Sequence, residues 1–421
     1  MFTADLRHRL TSDDELRELG LNTTVTFGLT SRTGASWTVS VSNGKVELSN
    51  GQADTQFGLH LDEEDWNRLL ANPPLPRQQH VAAFLAPRGT GEITGSIEAY
   101  AQHLHLVRRI IELARGQVQE DELTPLNLGD IVGRYVRLSL PAWGESDVYY
   151  ESAGTGAPVI LLPTAGSDCS QYHGLMSDSR LTSEYRLITF DLPWHGKSLP
   201  PATKRNTGYA LDTSSYTDCI AGFIQALRLD EKPVLVGASM AGAVVIEMAA
   251  LHPALLRGVV SSQAGPRVAN RHTPWLRNPK VNQTLHVPEW TYGLMSPLSP
   301  KSQRDRVWWG YSLGGFSVYE QDIDYYSSSW DIDRVGHLLD EHSPLAVLMN
   351  GVYDYSVPPE ATQELHRQVP HSLYREMPEL GHFPHAENPR AFAGHLLWAL
   401  AQIEATDDRP RPVPSTSGQS R

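Results

Sequence analysis

A serine flanked by small residues is the strongest chemical signal in the sequence. The apolar segment VLV at 234–236 runs directly into GASMAG, which places Ser239 between Gly237 and Ala241. A tight strand-to-helix turn strains the backbone of its central serine, so the residues two before and two after it must be small. The spacing therefore predicts a serine nucleophile at such a turn. The alternative is an ordinary strand–turn–helix joint with an incidental serine.

A serine nucleophile needs a base to take its proton and an acid to orient that base. Asp354 follows the predicted strand Leu345–Met349, and His382 follows later in a Gly-His-Phe sequence before a helix predicted to start near Pro389. Catalytic groups gather beyond the carboxyl ends of strands in sheets covered by helices. The chain order Ser239, Asp354, His382 therefore suits a nucleophile, an orienting acid and a general base.

Each of these assignments has a rival in the sequence. The chain has 17 histidines, and His385 is the nearest alternative base. Asp331 and Asp333 are alternative acids, less well placed at the end of an aromatic-rich insertion. Glu387 is expected either to brace the His382 loop through hydrogen bonds or to be a solvated carboxylate at a helix start.

Over about residues 131–405 these motifs resemble the α/β-hydrolase superfamily. The resemblance implies an α/β fold, with a mostly parallel sheet and helices on both faces. It also implies Ser239 as nucleophile, Asp354 as orienting acid and His382 as general base. Haloalkane dehalogenases and epoxide hydrolases of the superfamily use aspartate as nucleophile, so the serine argues against both activities.

The resemblance also implies an oxyanion hole made of two backbone N–H groups. The first is expected from Met240, immediately after the nucleophile. The second should come from the loop after the strand Val159–Leu162, where family members usually carry His-Gly. This chain has PTAG at 163–166 instead. Aligned on the strand end, Ala165 is the best second donor and Thr164 the next.

A second loop also departs from the superfamily pattern. The segment FDLPWHGKS at 190–198 stands where Asp-x-Pro-Gly-x-Gly-x-Ser is common, so that Trp194 and His195 replace Gly-x. We interpret this segment as a structural loop bordering the site. Trp194 is expected to line the pocket or to pack against the core.

Short apolar strand-like runs alternate with helical runs from about residue 131. This alternation is typical of a parallel sheet covered on both faces. The predicted strands are Pro158–Leu162, Leu187–Phe190, Pro233–Val236, Leu256–Ser261 and Leu345–Met349, and the predicted helices include Tyr216–Leu227 and Ala243–Leu251.

Residues 265–340 break this alternation, and we call them the cap. They contain 11 aromatic residues among 76, and an insertion of this kind predicts a cover over a pocket. Apolar and aromatic side chains line most small-molecule sites. The candidate substrate-binding residues are Trp308, Trp309, Tyr311, Tyr325 and Tyr326, with packing of the cap as the alternative for each.

Residues 1–116 have the pattern of a small α+β domain. Alternating strands are predicted at Asn22–Leu29, Ser36–Val41 and Gln56–Leu61, with an Asn-Gly turn after the second. Helices are predicted at Asp62–Leu70 and Glu98–Arg115. Residues 117–130 are predicted to be a linker, and residues 406–421 a disordered tail.

Part of this domain resembles the sterol-carrier-protein-2-like domain. The matching pieces are the hairpin Trp37–Leu48, LHLDEEDWNRLL at 59–70 and EITGSIEAYAQHLHLVRRI at 92–110. The resemblance implies a tunnel for an apolar ligand. The alternative is a domain that serves packing, dimerisation or solubility, which leaves a homodimer as an open expectation.

Composition excludes several classes of function. A net charge of −13 argues against a protein that binds nucleic acid or anionic membranes. Two cysteines are too few for a disulfide scaffold, and Cys169 has no activating base beside it, so it is interpreted as a packing residue. No apolar run reaches membrane-spanning length and the N-terminus is charged, so a cytoplasmic location is expected. The segment 154–156 (GTG) lacks the P-loop lysine, and neither a metal nor another cofactor is expected.

The predicted function is hydrolysis of an ester or lactone through an acyl-enzyme on Ser239. The aromatic cap favours a hydrophobic substrate, such as an aromatic or polyketide-like small molecule. One alternative is hydrolysis of a C–C bond in β-diketones or ring-cleavage products with the same triad. The other is a non-catalytic protein that binds apolar ligands and keeps a vestigial triad.

Overall fold

The computed structural model describes residues 4–85, 89–116, 125–204, 208–268, 271, 274–315 and 317–407. Most of the predicted linker 117–130 and of the predicted tail 406–421 lies outside these residues. Within the described ranges, no helix combines the length and the apolar character that crossing a bilayer requires.

The N-terminal part is built on a five-stranded sheet in the order β3-β2-β1-β4-β5. Strands β2 and β3 form the predicted hairpin, and its turn residues Asn43 and Gly44 have φ angles of 46° and 81°. Asn-Gly suits this turn because both positions need positive φ. The strands are β1 (Thr24–Ser31), β2 (Ser36–Ser42), β3 (Lys45–Asn50), β4 (Phe57–Leu61) and β5 (Glu92–Gly95).

The helix predicted at Glu98–Arg115 is interrupted, so the prediction of one continuous helix was wrong. His103 has φ −121° and ψ 18°, and its Nδ1 lies 2.7 Å from the carbonyl oxygen of Ala99. A side chain that bonds this carbonyl competes with the helical backbone, and periodicity alone does not reveal it. The helices here are α1 (Ala4–Ser12), α2 (Asp14–Leu19), α3 (Glu63–Leu69), α4 (Val81–Leu85), α5 (Ile97–Gln102) and α6 (Leu104–Arg115).

An eight-stranded mixed sheet forms the centre of the second part, in the order β13-β12-β11-β10-β8-β9-β7-β6. The strands from β13 to β9 pair in parallel, whereas β7 pairs antiparallel with both β9 and β6. The strands are β6 (Val132–Leu140), β7 (Gly144–Ala153), β8 (Ala157–Leu162), β9 (Tyr185–Phe190), β10 (Val234–Ala238), β11 (Gly258–Ser262), β12 (Leu345–Gly351) and β13 (Leu373–Met377).

Helices cover both faces of this sheet. Neighbouring residues of a strand point to opposite faces, and Leu235 and Val236 accordingly belong to separate cores. The first core includes α9 and α10, and the second includes α7, α8 and α17. The helices are α7 (His173–Met176), α8 (Ser179–Thr182), α9 (Thr213–Leu227), α10 (Met240–Leu251), α11 (Gln283–Tyr292), α12 (Lys301–Ser312), α13 (Val318–Asp324), α14 (Ile332–Val335), α15 (Pro359–Gln368), α16 (Pro384–Glu387) and α17 (Pro389–Asp407).

The cap lies between β11 and β12 and contains α11 to α14. It packs against the N-terminal part through buried charges. Arg108 of α6 donates from Nε to Glu289 of α11 at 2.6 Å, and Trp308 of α12 donates to the same carboxylate at 2.8 Å. The N-terminal part is therefore joined to the cap, which in turn reaches the carboxyl ends of the central strands.

Candidate active site

Ser239 occupies the sharp turn between β10 and α10. Its φ of 58° and ψ of −122° are rare for a residue with a side chain. Gly237 permits the turn, because a Cβ there would lie 2.3 Å from the carbonyl oxygen of Ala241. The backbone N–H of Ser239 donates to the carbonyl of Ser262 at 2.9 Å, which fixes the turn to β11.

Ser239, His382 and Asp354 form one hydrogen-bonded chain. Nε2 of His382 lies 2.9 Å from Oγ of Ser239, and Nδ1 lies 2.5 Å from Oδ2 of Asp354. All three residues are buried. A carboxylate only accepts, so Nδ1 carries the ring proton and Nε2 is left to accept the proton of the serine. This is the arrangement that general-base activation of a serine requires.

The loop that carries Asp354 is held by hydrogen bonds to the Asp354 side chain itself and by a contact from the N-terminal part. Oδ1 of Asp354 accepts from the backbone N–H groups of Ser356 and Val357, at 2.8 and 3.0 Å. The side-chain amide of Gln79 donates to the carbonyl oxygen of Tyr353 at 2.8 Å. Sequence reasoning missed Gln79, because it lies 274 positions from Tyr353 and no local pattern marks the contact.

Glu387 braces the loop of His382, which was one of the two expectations for it. Its buried carboxylate accepts from the backbone N–H groups of Gly381 at 2.6 Å and Ser296 at 3.1 Å. It also accepts from the hydroxyl of Ser299 at 3.0 Å. The carboxylate therefore ties the histidine loop to the cap.

The alternative base and the alternative acids make contacts outside the Ser239–His382–Asp354 chain. The ring of His385 stacks on Tyr172, with centroids 4.6 Å apart. Asp331 caps α14 and pairs with Arg267 at 2.6 Å, and Asp333 lies 3.5 Å from the same arginine.

The predicted oxyanion loop follows β8, which pairs in parallel with β10, so both turns leave the same edge of the sheet. Met240 is the first residue of α10, and its N–H has no acceptor within the helix. The N–H of Thr164 donates to Oε1 of Gln171 at 3.1 Å, and that of Gly166 donates to Oδ2 of Asp322 at 2.7 Å. Among the described residues, no acceptor pairs with the N–H of Ala165.

The predicted substrate-binding residues differ in their surroundings. The hydroxyl of Tyr326 donates to the carbonyl of Gln263 at 3.2 Å and also interacts with the Ser239 side chain. The hydroxyl of Tyr325 instead donates to buried Glu247 at 2.7 Å, and that of Tyr311 lies 2.7 Å from Oγ1 of Thr164. Of these three tyrosines, Tyr326 is therefore the one placed directly beside the nucleophile.

The tryptophan candidates lie farther out. Trp308 donates to Glu289 at the junction with the N-terminal part, and Trp309 is 64% exposed. Trp194 is half-buried and packs edge-on against Trp143, with ring centroids 5.6 Å apart. Its φ of 72° explains why glycine is usual at this position. A role of these residues in substrate binding stays a prediction.

Two further features bear on the chemistry. Burial and the nearby Asp191 carboxylate raise the pKa of the Cys169 thiol well above its usual value, so Cys169 is a poor nucleophile. In the described ranges, no three or more His, Cys, Asp or Glu side chains are grouped to hold a metal ion.

Comparison with known proteins places this geometry in a family. A model of the alpha/beta hydrolase family matches residues 159–395. A pimeloyl-[acyl-carrier protein] methyl ester esterase of Yersinia enterocolitica is 24% identical over 279 residues, 62% of this chain and 99% of the esterase.

Two solved structures share the fold of the second part. A thermophilic esterase from Thermogutta terrifontis has a TM-score of 0.52 and 21% identity, covering 64% of this chain and 99% of the esterase. The enol-lactonase from Burkholderia xenovorans LB400 has a TM-score of 0.53 and 16% identity, covering 64% of this chain and 100% of the lactonase.

Proposed function

The chain belongs to the alpha/beta hydrolase family, and from this premise we propose that it hydrolyses an ester or lactone bond of a hydrophobic small molecule. The observation that carries the proposal is the buried chain of hydrogen bonds from Ser239 through His382 to Asp354. The esterase from Yersinia enterocolitica, which matches over almost its whole length, supports ester chemistry.

The proposed reaction begins with attack of Ser239 Oγ on the carbonyl carbon. His382 Nε2 takes the serine proton as the new C–O bond forms, and Asp354 stabilises the resulting imidazolium. The tetrahedral intermediate collapses, and His382 returns the proton to the leaving alcohol. Water then attacks the acyl-enzyme, with His382 again acting as base, and releases the acid and the free serine.

The N–H groups of Met240 and Ala165 are the proposed oxyanion donors. Met240 offers an N–H at the start of a helix, where the helix dipole also favours negative charge. The N–H groups of Thr164 and Gly166 already have acceptors, so the loop leaves Ala165 as the second donor. Donors of this kind act mainly by stabilising charge that develops in the transition state.

The apolar side chains inside the cap favour an apolar or aromatic substrate, although the cavity among them has room for only about one water molecule. Its lining includes Leu276, Val287, Trp290 and Ile323. Arg271 also lines it, with its guanidinium 5.8 Å from the ring centroid of Tyr326, the tyrosine beside Ser239.

Turnover of a substrate panel tests the proposal. Purified protein should hydrolyse p-nitrophenyl esters or aromatic lactones, and Ser239→Ala should lower kcat by about 10⁶-fold because the triad acts as a unit. Ser214→Ala removes an exposed hydroxyl of α9 and should leave kcat unchanged. Retained activity in Ser239→Ala would overturn the mechanism, and turnover of β-diketones alone would favour the C–C hydrolase instead.

A further inference from the structure

The carboxylate of Asp322, on helix α13 of the cap, is fully buried against two loops of the central sheet. Its Oδ2 accepts from the backbone N–H of Gly166 at 2.7 Å and lies 2.8 Å from Nε2 of His195. Its Oδ1 accepts from the hydroxyl of Tyr209 at 2.8 Å. A buried carboxylate is costly unless it is paired and hydrogen-bonded, and here every contact comes from outside the cap.

His195 faces acceptors with both ring nitrogens. Nδ1 lies 3.1 Å from the carbonyl oxygen of Pro193, and Nε2 faces the carboxylate of Asp322. Neither acceptor can donate, so both nitrogens must carry protons and the ring is an imidazolium. Burial lowers the pKa of His195, but the Asp322 carboxylate more than offsets this effect and raises it overall. Asp322 and His195 therefore form a neutral ion pair.

The same cap helices hold the rest of the oxyanion loop. The hydroxyl of Tyr311 contacts Oγ1 of Thr164 at 2.7 Å. A Cβ at Gly166 would lie 2.7 Å from the ring of Tyr319, and the φ of Gly166 is 69°. The residues on both sides of Ala165 are therefore fixed by the cap, while its own N–H is left without an acceptor among the described residues.

We propose that Asp322 and His195 are positioning residues that set the oxyanion hole. Asp322 holds the N–H of Gly166 and so orients the neighbouring peptide that carries the N–H of Ala165. His195 neutralises the carboxylate, which would otherwise oppose negative charge developing on the substrate oxygen. This inference rests on the proposed acyl transfer at Ser239.

The pair also gives a reason for two departures from the superfamily pattern. The loop at 163–166 lacks the usual histidine before glycine, and the loop at 190–198 has gained one at His195. In this chain the oxyanion loop is held from the cap through Asp322. Displacement of α13 would therefore remove both the anchor of Gly166 and the charge partner of His195.

Asp322→Asn tests the pair because it keeps the shape of the side chain but removes the negative charge that holds His195 as an imidazolium and strengthens the hydrogen bond from the Gly166 N–H. We expect kcat for a p-nitrophenyl ester to fall about 10- to 100-fold, less than the loss of a whole oxyanion donor, while KM changes less than about threefold. Affinity for phenylboronic acid, whose tetrahedral adduct needs the oxyanion hole, should fall by a similar factor. Asp324→Asn, on the same helix and paired with Arg277, is the matched control and should leave both values unchanged.

His195→Gln tests the neutralising role, because it removes the cation of the pair. Alone, this variant leaves the Asp322 carboxylate without a cation and should lower kcat at unchanged KM. Combined with Asp322→Asn, it restores a neutral, hydrogen-bonding pair, and kcat should recover at least about fivefold over His195→Gln. A double variant as slow as the product of the two single losses would overturn the neutralising role.

Titration of active serines with a fluorophosphonate separates the outcomes. Each variant should still label fully at long times, and the kinetic constants are then given per labelled site. If kcat and boronate affinity of Asp322→Asn equal those of the wild type, this inference is overturned but the proposed function is not. Failure of the wild-type protein to label or to turn over esters would instead overturn the proposed function.

Discussion

The Asp354 carboxylate fixes which nitrogen of His382 carries the proton. Asp354→Asn should lower kcat by about 10⁴-fold with little change in folding. The asparagine oxygen can keep the two backbone N–H bonds of its loop, but its NH₂ group then faces Nδ1 of His382. The ring proton moves to Nε2, which can no longer accept the proton of Ser239. Ester hydrolysis and thermal melting measure the two effects.

Asp331→Asn is the matched control for this prediction. Asp331 was the rival acid, and it pairs with Arg267 instead of with the catalytic histidine. Its variant should keep wild-type kcat. A loss below tenfold in Asp354→Asn, or equal losses in both variants, would contradict the assigned roles.

At the residue scale, the sequence was enough to predict the three residues that the structure joins by hydrogen bonds, but not the residues that support them. Ser239, Asp354 and His382 each follow a predicted strand or precede a predicted helix, so their chain order and neighbours identify them. Gln79 and Asp322 act through contacts across more than 150 positions, and no periodicity marks them. The Trp-His departure at 194–195 was the available signal for the Asp322 pair.

The strand-to-helix turn at Ser239 depends on a glycine two residues earlier. In Gly237→Ala the new methyl would lie 2.3 Å from the carbonyl oxygen of Ala241, so the turn must shift. We expect kcat to fall at least about 100-fold, because small displacements of a nucleophile are costly. Overpacking should also reduce the free energy of unfolding by about 1–3 kcal/mol. Steady-state kinetics and urea unfolding report these changes.

Gly310→Ala is a matched control on α12. A Cβ at Gly310 meets no atom within 4 Å, and the residue lies inside a helix. This variant should keep wild-type kcat and gain about 0.5–1 kcal/mol of stability. Wild-type activity in Gly237→Ala would show that the turn is less constrained than its geometry indicates.

At the element scale, apolar runs located the buried strands to within about two residues at each end. No comparable signal marks β5 and β6, whose residues are mostly exposed, or β7 and β13. The break between α5 and α6 was missed because it depends on the contact of the His103 ring with a backbone carbonyl.

At the scale of the whole molecule, Arg108 joins the N-terminal part to the cap. It contacts Glu289 at 2.6 Å, and Glu112 and Glu15 at 2.9 Å each. Arg108→Met should lower the free energy of unfolding by about 3–5 kcal/mol, because it removes the cation paired with the fully buried Glu289 carboxylate. Urea unfolding measures the loss. Arg137→Met, which breaks an exposed pair with Asp147, should leave stability unchanged, and equal effects would contradict a structural role for the junction.

His80 makes the same junction sensitive to acid. Burial, aided by Arg115 and Arg108, lowers the pKa of His80 to about 3, whereas an unfolded histidine protonates near pH 6.5. Below pH 6.5 His80 binds a proton in the unfolded chain but not in the folded chain, so the free energy of unfolding decreases as pH falls. Between pH 7.5 and 5.0 this amounts to about 2 kcal/mol.

Comparison of His80→Gln with the wild type isolates this contribution from other titrating groups. The difference between their free energies of unfolding should move by about 2 kcal/mol between the two pH values, with the wild type losing more on acidification. His342→Gln, at an exposed histidine, should show no such change. A difference that is independent of pH would contradict a buried neutral His80.

Covalent labelling of the serine tests the central claim most directly. Wild-type protein treated with a fluorophosphonate should gain one adduct per chain, and peptide mapping by mass spectrometry should place it on Ser239. Ser239→Ala should gain none. An adduct on another residue, or ester turnover without labelling of Ser239, would contradict an acyl-enzyme mechanism at this site.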